Sequence, residues 1–152
     1  FPIIFRYSQW KQQDYSARLC DTPEALQAFL TPLAEAGVDI FHCSTRRFWE
    51  PEFEGSDLNL AGWTKKLTGK PTISVGSVGL NADFLPQAGE TAFRAAEPAS
   101  LDELITRISN DEFDLVAVGR ALIANPEWPA MVKAGRFDEL ESYDSKMLMT
   151  LK

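Results

Sequence analysis

Short apolar runs alternate with helical patterns four times along this chain of 152 residues, and that order constrains its fold more than any other feature. The apolar runs, at 1–5, 38–44, 71–75 and 115–118, have the length of strands. The run at 115–118 is unbroken by polar residues, which is typical of a parallel strand buried on both faces. A repeated strand–helix order therefore predicts an α/β protein with a parallel sheet and right-handed crossovers.

The segments between these runs carry helix start and stop signals. Asp21-Thr22-Pro23-Glu24 combines an N-cap side chain with a proline in the first turn, and Gly37 ends the helix that follows. Residues 58–67 have a helical pattern that ends before Gly69, and Ser100-Leu101-Asp102-Glu103 has the spacing of a capping box. One helix is therefore expected between each pair of successive strands.

Glycine turns follow the third and fourth strand candidates. Gly76-Ser77-Val78-Gly79 comes directly after the third, and Gly119-Arg120 comes directly after the fourth, where Ala121-Leu122-Ile123 begins a helix. Main-chain N–H groups beside glycine, together with a guanidinium, suit a phosphate dianion. These turns predict one shared phosphate site near Ser77 and Arg120. The alternative is an ordinary strand-to-helix turn with a solvated Arg120.

Two further segments could face a ligand. Arg6-Tyr7-Ser8 closes the first strand candidate, and a charge at the end of a buried strand is costly unless it meets an anionic or electron-rich group; an arginine emerging into solvent is the alternative. The long segment 45–56 contains Arg46, Arg47, Phe48 and Trp49. It is interpreted either as a cover for a planar ligand or as a packed surface loop, and the sequence leaves both open.

Composition excludes several classes of function. A net charge of −7 argues against a general nucleic-acid surface, and no apolar run approaches the length of a membrane span. Cys20 and Cys43 lack metal-ligand spacing and predict free thiols in a reducing cytoplasm, with one disulfide as the alternative. His42, the one histidine, is interpreted as structural. Because the chain begins with Phe1 and an apolar run, we expect it to start inside a longer protein.

The position of the glycine turns separates two α/β architectures. A doubly wound nucleotide-binding sheet carries Gly-x-Gly-x-x-Gly after its first strand, and Arg6-Tyr7-Ser8 stands there instead. A phosphate site after the last two strands is a recurrent feature of the (β/α)8 TIM barrel. The predicted fold class is therefore α/β, with this chain supplying about the last four βα units of a (β/α)8 barrel. Residues 1–136 would form this half barrel, and 137–152 a C-terminal tail with Leu140, Tyr143, Met147 and Leu148 as anchors to something else.

Four motifs taken together carry a resemblance to a known family. They are Phe5-Arg6-Tyr7-Ser8, Asp39-Ile40-Phe41-His42, Ser74-Val75-Gly76-Ser77-Val78-Gly79, and Val118-Gly119-Arg120-Ala121-Leu122-Ile123-Ala124-Asn125-Pro126. In this order and spacing the chain resembles the C-terminal half of the old yellow enzyme family. The resemblance implies an FMN-dependent NAD(P)H oxidoreductase, and many members of that family are ene-reductases.

The resemblance also implies a role for each candidate site residue. Arg6 matches the arginine that faces the pyrimidine side of the flavin, where a cation stabilises negative charge near N1 and O2. Gly76 and Ser77 match the turn that approaches the FMN phosphate, and Gly119 and Arg120 match the pair that binds the same phosphate. Hydride would pass from NAD(P)H to FMN and then to an electron-poor alkene, or to a quinone or similar small molecule.

The barrel of that family is roughly twice as long as this chain. The groups that bind the substrate carbonyl and the proton donor would lie in the N-terminal barrel half, so no catalytic residue is assigned, and Tyr7 and Tyr15 are only candidates for lining the pocket. This chain alone is expected to be inactive. The alternative is a non-catalytic half-barrel or phosphate-binding module that pairs with a partner half or with itself, because its edge strands would be unpaired.

Overall fold

The computed structural model of the chain describes residues 1–11, 14, 16–82 and 95–149. Within these residues one sheet is formed by the strands β1 (Ile4–Tyr7), β2 (Ile40–Ser44), β3 (Thr72–Val75) and β4 (Leu115–Ala117). The α-helices of the same part are α1 (Pro23–Glu35), α2 (Leu60–Thr68), α3 (Asp102–Ser109), α4 (Arg120–Ala124) and α5 (Trp128–Lys133). Two 3-10 turns follow, at Phe137–Glu139 and Ser145–Met149. None of the helices in the described ranges is long and apolar enough to cross a membrane.

The four strands are parallel and lie in the order β1-β2-β3-β4. Right-handed crossovers between strands that are neighbours in both sequence and space keep their helices on one face of the sheet. A doubly wound sheet instead reverses its strand order at a switch point and carries helices on both faces. The observed order is the one that a segment of a (β/α)8 barrel requires.

The two faces of the sheet differ in burial. The side chains of Phe41, Cys43, Thr72 and Ser74 lie on one face and are fully buried, where α2 packs against both β2 and β3 and α1 packs against α2. The opposite face, here called the inner face, carries the residues that alternate with these along the strands. They are Ile4, Arg6, Ile40, His42, Ser44, Ile73, Val75, Leu115 and Ala117.

The prediction that the fourth strand is buried on both faces is wrong, and the first strand, predicted as a core strand, is also partly exposed. Ile4 in β1 is 52% exposed and Leu115 in β4 is 50% exposed. Both strands are edges of the sheet within the described residues, and both residues lie on the inner face, which no helix of this part covers. An apolar run alone does not distinguish a strand buried on two faces from one that is buried on a single face.

The bounds of β1 also differ from the predicted run at 1–5. The strand begins at Ile4 because its register partner is Ile40, the first residue of β2, and it ends at Tyr7 opposite Cys43. Arg6 is therefore a residue of the strand, opposite His42 in the middle of β2, and it does not follow the strand end as predicted. Parallel pairing with β2 fixes these bounds, and apolar composition does not.

Most of the predicted helix signals are confirmed. The Thr22 hydroxyl caps α1 by accepting a hydrogen bond from the main-chain N–H of Ala25 at 3.2 Å. Gly69 caps the C-terminus of α2 in the left-handed conformation, with φ of 66°. At the other end of α2, Asn59 accepts from the N–H of Gly62 at 2.9 Å, so the helix begins two residues later than its apolar pattern indicated.

The capping box predicted before α3 is not formed. The helix begins at Asp102, and its N-cap residue Leu101 makes no side-chain cap. The Ser100 hydroxyl instead accepts from the N–H of Asp102 at 3.1 Å and donates to the carboxylate of the same residue at 2.7 Å. The Ser100 hydroxyl therefore forms a local turn with Asp102 and does not take part in a capping box.

Candidate functional site

The turn after β3 has a backbone that only glycine fits at its first position. Gly76 has a φ of 140°, and a Cβ built on it would lie 2.7 Å from the carbonyl oxygen of Thr45 and 2.9 Å from the carbonyl carbon of Arg46. The main chain of the β2–α2 loop thus packs directly against Gly76. A side chain at this position would push the two segments apart.

Ser77 continues the turn in a left-handed conformation, with a φ of 49°. Such a backbone is uncommon for a residue with a side chain and is often found at functional sites. The Ser77 hydroxyl lies 3.1 Å from the carbonyl oxygen of Arg46 and 3.2 Å from that of Ala82, and can donate to either. The side chain therefore holds the turn against the loops on both sides of it.

Gly119 and Arg120 follow β4 at the same edge of the sheet. Val75 in β3 pairs with Ala117 in β4, so Ser77 and Gly119 each lie two residues beyond the last pair of adjacent strands. The Arg120 Nη2 atom donates to the carbonyl oxygen of Ala82 at 2.6 Å and lies 3.4 Å from Ser77 Oγ. The structure thus brings together the four candidate residues of the two glycine turns.

The space in front of these turns suits an anion. Among the described residues, a Cβ built on Gly119 would meet no atom within 4 Å, and no acceptor meets the main-chain N–H groups of Ser77 and Gly119. Arg120 adds a permanent positive charge. Main-chain N–H groups in a glycine turn and a guanidinium beside them form the kind of site that binds a phosphate.

Tyr143 lies behind Arg120 and was not predicted as part of a site. The Arg120 Cζ atom lies 5.6 Å from the centroid of the Tyr143 ring, and Tyr143 is only 1% exposed. The sequence indicated an anchor to something else, whereas Tyr143 packs into the core of this chain and pairs with Ala96 through two main-chain hydrogen bonds. Ala96 lies in an irregular connection, and such a segment has no periodic pattern from which this pairing could be predicted.

Arg6 lies at the other side of the sheet, on the inner face. Its Nη2 atom donates to the hydroxyl of Ser44 at 3.0 Å. Arg6 belongs to β1, whereas the glycine turns follow β3 and β4, so two to three strand spacings separate them, or roughly 10–14 Å. The structure therefore leaves Arg6 apart from the other four candidate residues, although β1 ends at the same edge of the sheet.

His42 lies beside Arg6 on the inner face and is half-buried. Its Nε2 atom is buried and has no hydrogen-bond partner in the described part of the chain. Burial lowers the pKa of His42, and the nearby positive charge of Arg6 lowers it further. The imidazole is thus kept neutral in the fold, and its interpretation as a structural residue stays a prediction.

Tyr7 does not line a pocket, and that prediction is wrong. Alternation along β1 places Tyr7 on the helix-covered face, where its hydroxyl lies 2.6 Å from Thr64 Oγ1 and burial raises its pKa. The Cys43 thiol donates to Thr64 Oγ1 at 3.3 Å, and burial raises the pKa of this thiol to about 12. Cys43 and Cys20 are both buried free thiols. Tyr15 lies outside the described residues.

The long loop between β2 and α2 packs its aromatic residues inward. Phe48 is 3% exposed, and its ring contacts that of Trp49 edge to face at 5.1 Å between centroids. The side-chain amide of Asn59 donates to the Phe48 carbonyl at 2.6 Å. Of the two interpretations left open, the packed loop applies to these aromatic residues. Arg46 and Arg47 instead line a cavity of about 180 Å³.

That cavity has mixed charge. Trp10 and Glu52 also line it, and Glu52 forms an ion pair with Arg18. Burial raises the pKa of Glu52, although the positive charge of Arg18 opposes this effect. Three arginines and two glutamates therefore line the cavity, which gives it mixed charge with a small positive excess.

Comparison with known proteins supports the same assignment of fold. No protein-family model matches the chain. The chain is 32% identical over 148 residues to an NADH oxidase from Thermoanaerobacter brockii, an alignment that covers 92% of this chain and 19% of that protein. The chain thus spans about a fifth of the length of this relative. Its fold is similar to that of morphinone reductase, with a TM-score of 0.53 and 16% identity over 87% of this chain and 29% of that one.

These comparisons confirm the predicted fold class and the predicted resemblance. The parallel four-stranded sheet, with its sequential order and alternating helices, corresponds to part of the barrel of morphinone reductase. The sequence similarity to an NADH oxidase extends along nearly the whole chain. The chain has the fold of half of a (β/α)8 barrel.

Proposed function

We propose that the complete protein is an FMN-dependent NAD(P)H oxidoreductase of the ene-reductase type, and that this chain supplies its phosphate site and an arginine that faces the flavin. One observation carries the proposal. Ser77 and Arg120 follow adjacent strands, and Arg120 Nη2 lies 3.4 Å from Ser77 Oγ at one edge of the sheet. They do so in a chain that is 32% identical to an NADH oxidase.

The residues of the two turns fit the phosphate of FMN. The open space in front of Gly119 leaves room for a ligand atom where a side chain would otherwise stand. The N–H groups of Ser77 and Gly119 would donate to the phosphate oxygens, and Arg120 would supply the charge. Gly76 permits this geometry because its backbone has a φ of 140° and no space for a side chain.

Arg6 would hold the flavin ring at the other end of the site. A ligand with its phosphate beyond β3 and β4 has to extend past the end of β2 to reach β1. The hydrogen bond to Ser44 orients the Arg6 guanidinium, and a fixed cation there would stabilise negative charge on the pyrimidine side of the ring.

When bound, FMN would accept a hydride from NAD(P)H and pass it to an electron-poor alkene, a quinone or a similar small molecule. The residues of this chain would bind and orient it, and none of them is assigned a catalytic step. The groups that bind the substrate and supply its proton would come from the N-terminal half of the barrel. A cytoplasmic location and a homo-oligomeric state stay predictions.

The proposal is tested on the full-length protein that contains this sequence. We expect the purified protein to show a flavin absorption band that NADH or NADPH bleaches under anaerobic conditions. The flavin released on denaturation should be FMN. A protein that carries no flavin, and that binds none when FMN is added, would contradict the proposal.

A second candidate is a half-barrel module that binds phosphate without performing a reaction. It is favoured by the two edge strands β1 and β4, which have a neighbour on one side only within the described residues. Size-exclusion chromatography and FMN titration of this chain alone separate the two candidates. Stoichiometric FMN binding by a monomer would favour the module, whereas binding only after addition of the N-terminal half would favour the enzyme.

A further inference from the structure

We propose that Tyr143 is a positioning residue for the phosphate site, acting through the Arg120 guanidinium that packs on its ring. The inference rests on the phosphate site proposed above and adds to it a residue from the C-terminal segment. The Arg120 Cζ atom lies 5.6 Å from the centroid of the Tyr143 ring, within the range of a cation–π interaction.

The Tyr143 ring is itself held rigidly. The side chain is 1% exposed, and the residue pairs with Ala96 through main-chain hydrogen bonds of 2.9 and 2.7 Å, one in each direction. Close by, Asn125 at the end of α4 bonds the main chain of Glu141 through both ends of its amide, at 3.0 and 2.8 Å. The segment that carries Tyr143 is therefore tied to the helix that begins with Arg120.

Within the described part of the chain, three groups from separate segments contact Arg120. Its Nη2 atom donates to the Ala82 carbonyl at 2.6 Å and lies 3.4 Å from Ser77 Oγ, while the Tyr143 ring lies close to its Cζ atom. An arginine side chain has several rotatable bonds, and ordering it when a ligand binds costs conformational entropy. A guanidinium that is already held in place avoids much of that cost.

The aromatic ring of Tyr143 carries this effect, and its hydroxyl does not. The hydroxyl is buried and makes no hydrogen bond to the described residues. Phenylalanine keeps the π face that attracts the guanidinium. Methionine fills a similar space without a π face, and its flexible side chain adapts to irregular packing. Tyr143→Phe and Tyr143→Met therefore form a matched pair of variants.

The test compares the affinities of the full-length protein for FMN and for riboflavin, which has the same ring system without the phosphate. The measured quantity is the ratio of the two dissociation constants, because a general loss of packing changes both affinities and leaves their ratio unaltered. We expect Tyr143→Met to lower the preference for FMN by roughly 3- to 30-fold, and Tyr143→Phe to retain it. Added to Arg120→Ala, the Tyr143→Met change should lower the preference no further.

Each outcome bears on one of the two proposals. A wild-type protein that binds riboflavin as tightly as FMN contradicts the phosphate site itself. A wild-type preference for FMN that Arg120→Ala abolishes and Tyr143→Met leaves intact overturns the role of Tyr143 alone. Should Tyr143→Met fail to fold, Tyr143→Leu takes its place as the variant without a π face, and an unchanged FMN preference in Tyr143→Leu would overturn the inference. A large loss of FMN preference in Tyr143→Phe would assign the effect to the hydroxyl and also overturn it.

Discussion

Arg120 and Ser77 lie 43 residues apart in sequence, yet Arg120 Nη2 is 3.4 Å from Ser77 Oγ. The adjacent parallel strands β3 and β4 end at one edge of the sheet, and each is followed by a turn that contains glycine. The contact forms one site from two turns, and it carries the proposal of an FMN phosphate site.

Replacing Arg120 with alanine should weaken FMN binding. A charge-assisted hydrogen bond contributes about 1.5–3 kcal/mol, so we expect the dissociation constant to rise by roughly 10- to 150-fold. Isothermal titration of the apoprotein with FMN measures the change. Arg136→Ala is the matched control, because Arg136 pairs with Glu139 at the surface and is half exposed. Equal affinities of the two variants would remove Arg120 from the site.

Replacing Gly76 with alanine should destabilise the fold. The left-handed backbone and the contact of 2.7 Å with Thr45 would together cost about 2–4 kcal/mol of unfolding free energy. Gly37→Ala is the matched control, since Gly37 has a φ of 106° but nothing within 4 Å of an added Cβ. Urea unfolding of both variants separates the two costs. A loss at Gly76 no larger than that at Gly37 would show that the loop moves aside.

Replacing Gly119 with alanine should lower the affinity for FMN and leave the unfolding free energy nearly unchanged, in contrast to the Gly76 variant. Gly119 has a φ of −110°, and an added Cβ would contact no atom of the described residues within 4 Å, so we expect the unfolding free energy to change by less than about 1 kcal/mol. The same methyl group would occupy the space proposed for the ligand, and the affinity for FMN should fall at least about tenfold. Unchanged FMN binding by a folded variant would place the phosphate elsewhere.

The two glycine turns of this site could be predicted from the sequence. Gly76 and Gly119 stand directly after strand-length apolar runs, and parallel strands necessarily bring such turns to one edge. Tyr143 was missed because its contact with Arg120 depends on how an irregular segment returns to the core. Strand bounds were misplaced for a related reason, since the register of β1 against β2 determines them and the apolar composition of residues 1–5 does not.

Removing the charge of Arg6 should raise the pKa of His42. Burial is the larger cause of the lowered pKa and Arg6 is the second, so Arg6→Gln should move the value upward without restoring it to the ordinary 6.5. Titration of the imidazole proton signal by NMR measures the change, with the signal assigned by its loss in His42→Gln. Arg136→Gln serves as the control for net charge. An identical pKa in Arg6→Gln and wild type would mean that the two side chains do not interact.

The buried thiol of Cys43 should make the fold sensitive to alkaline pH. Burial raises its pKa from 9.0 to about 12. Below pH 9.0 the thiol is neutral in both the folded and the unfolded chain, so its full contribution to stability is present. As the pH rises from 9.0 toward about 12, the unfolded chain loses this proton while the folded chain retains it. The free energy of unfolding therefore falls across this window.

Cys43→Ala removes the titrating group and should make that decline shallower. Its absolute stability should also be lower, because the side chain is fully buried and its removal leaves a small cavity, at a cost of about 1–2 kcal/mol. Urea unfolding of both proteins at several pH values on either side of 9.0 separates the two effects, since the cavity shifts every value equally and the thiol changes only the slope. Lys65 titrates in both proteins, so its contribution cancels in the comparison. Tyr7 titrates as a pair with Cys43, which contributes to the raised pKa of Tyr7, so the measured change in slope belongs to the pair. Parallel declines would mean that Cys43 ionises within the folded protein as readily as in the unfolded chain, and that burial in the core does not hold it as a neutral thiol.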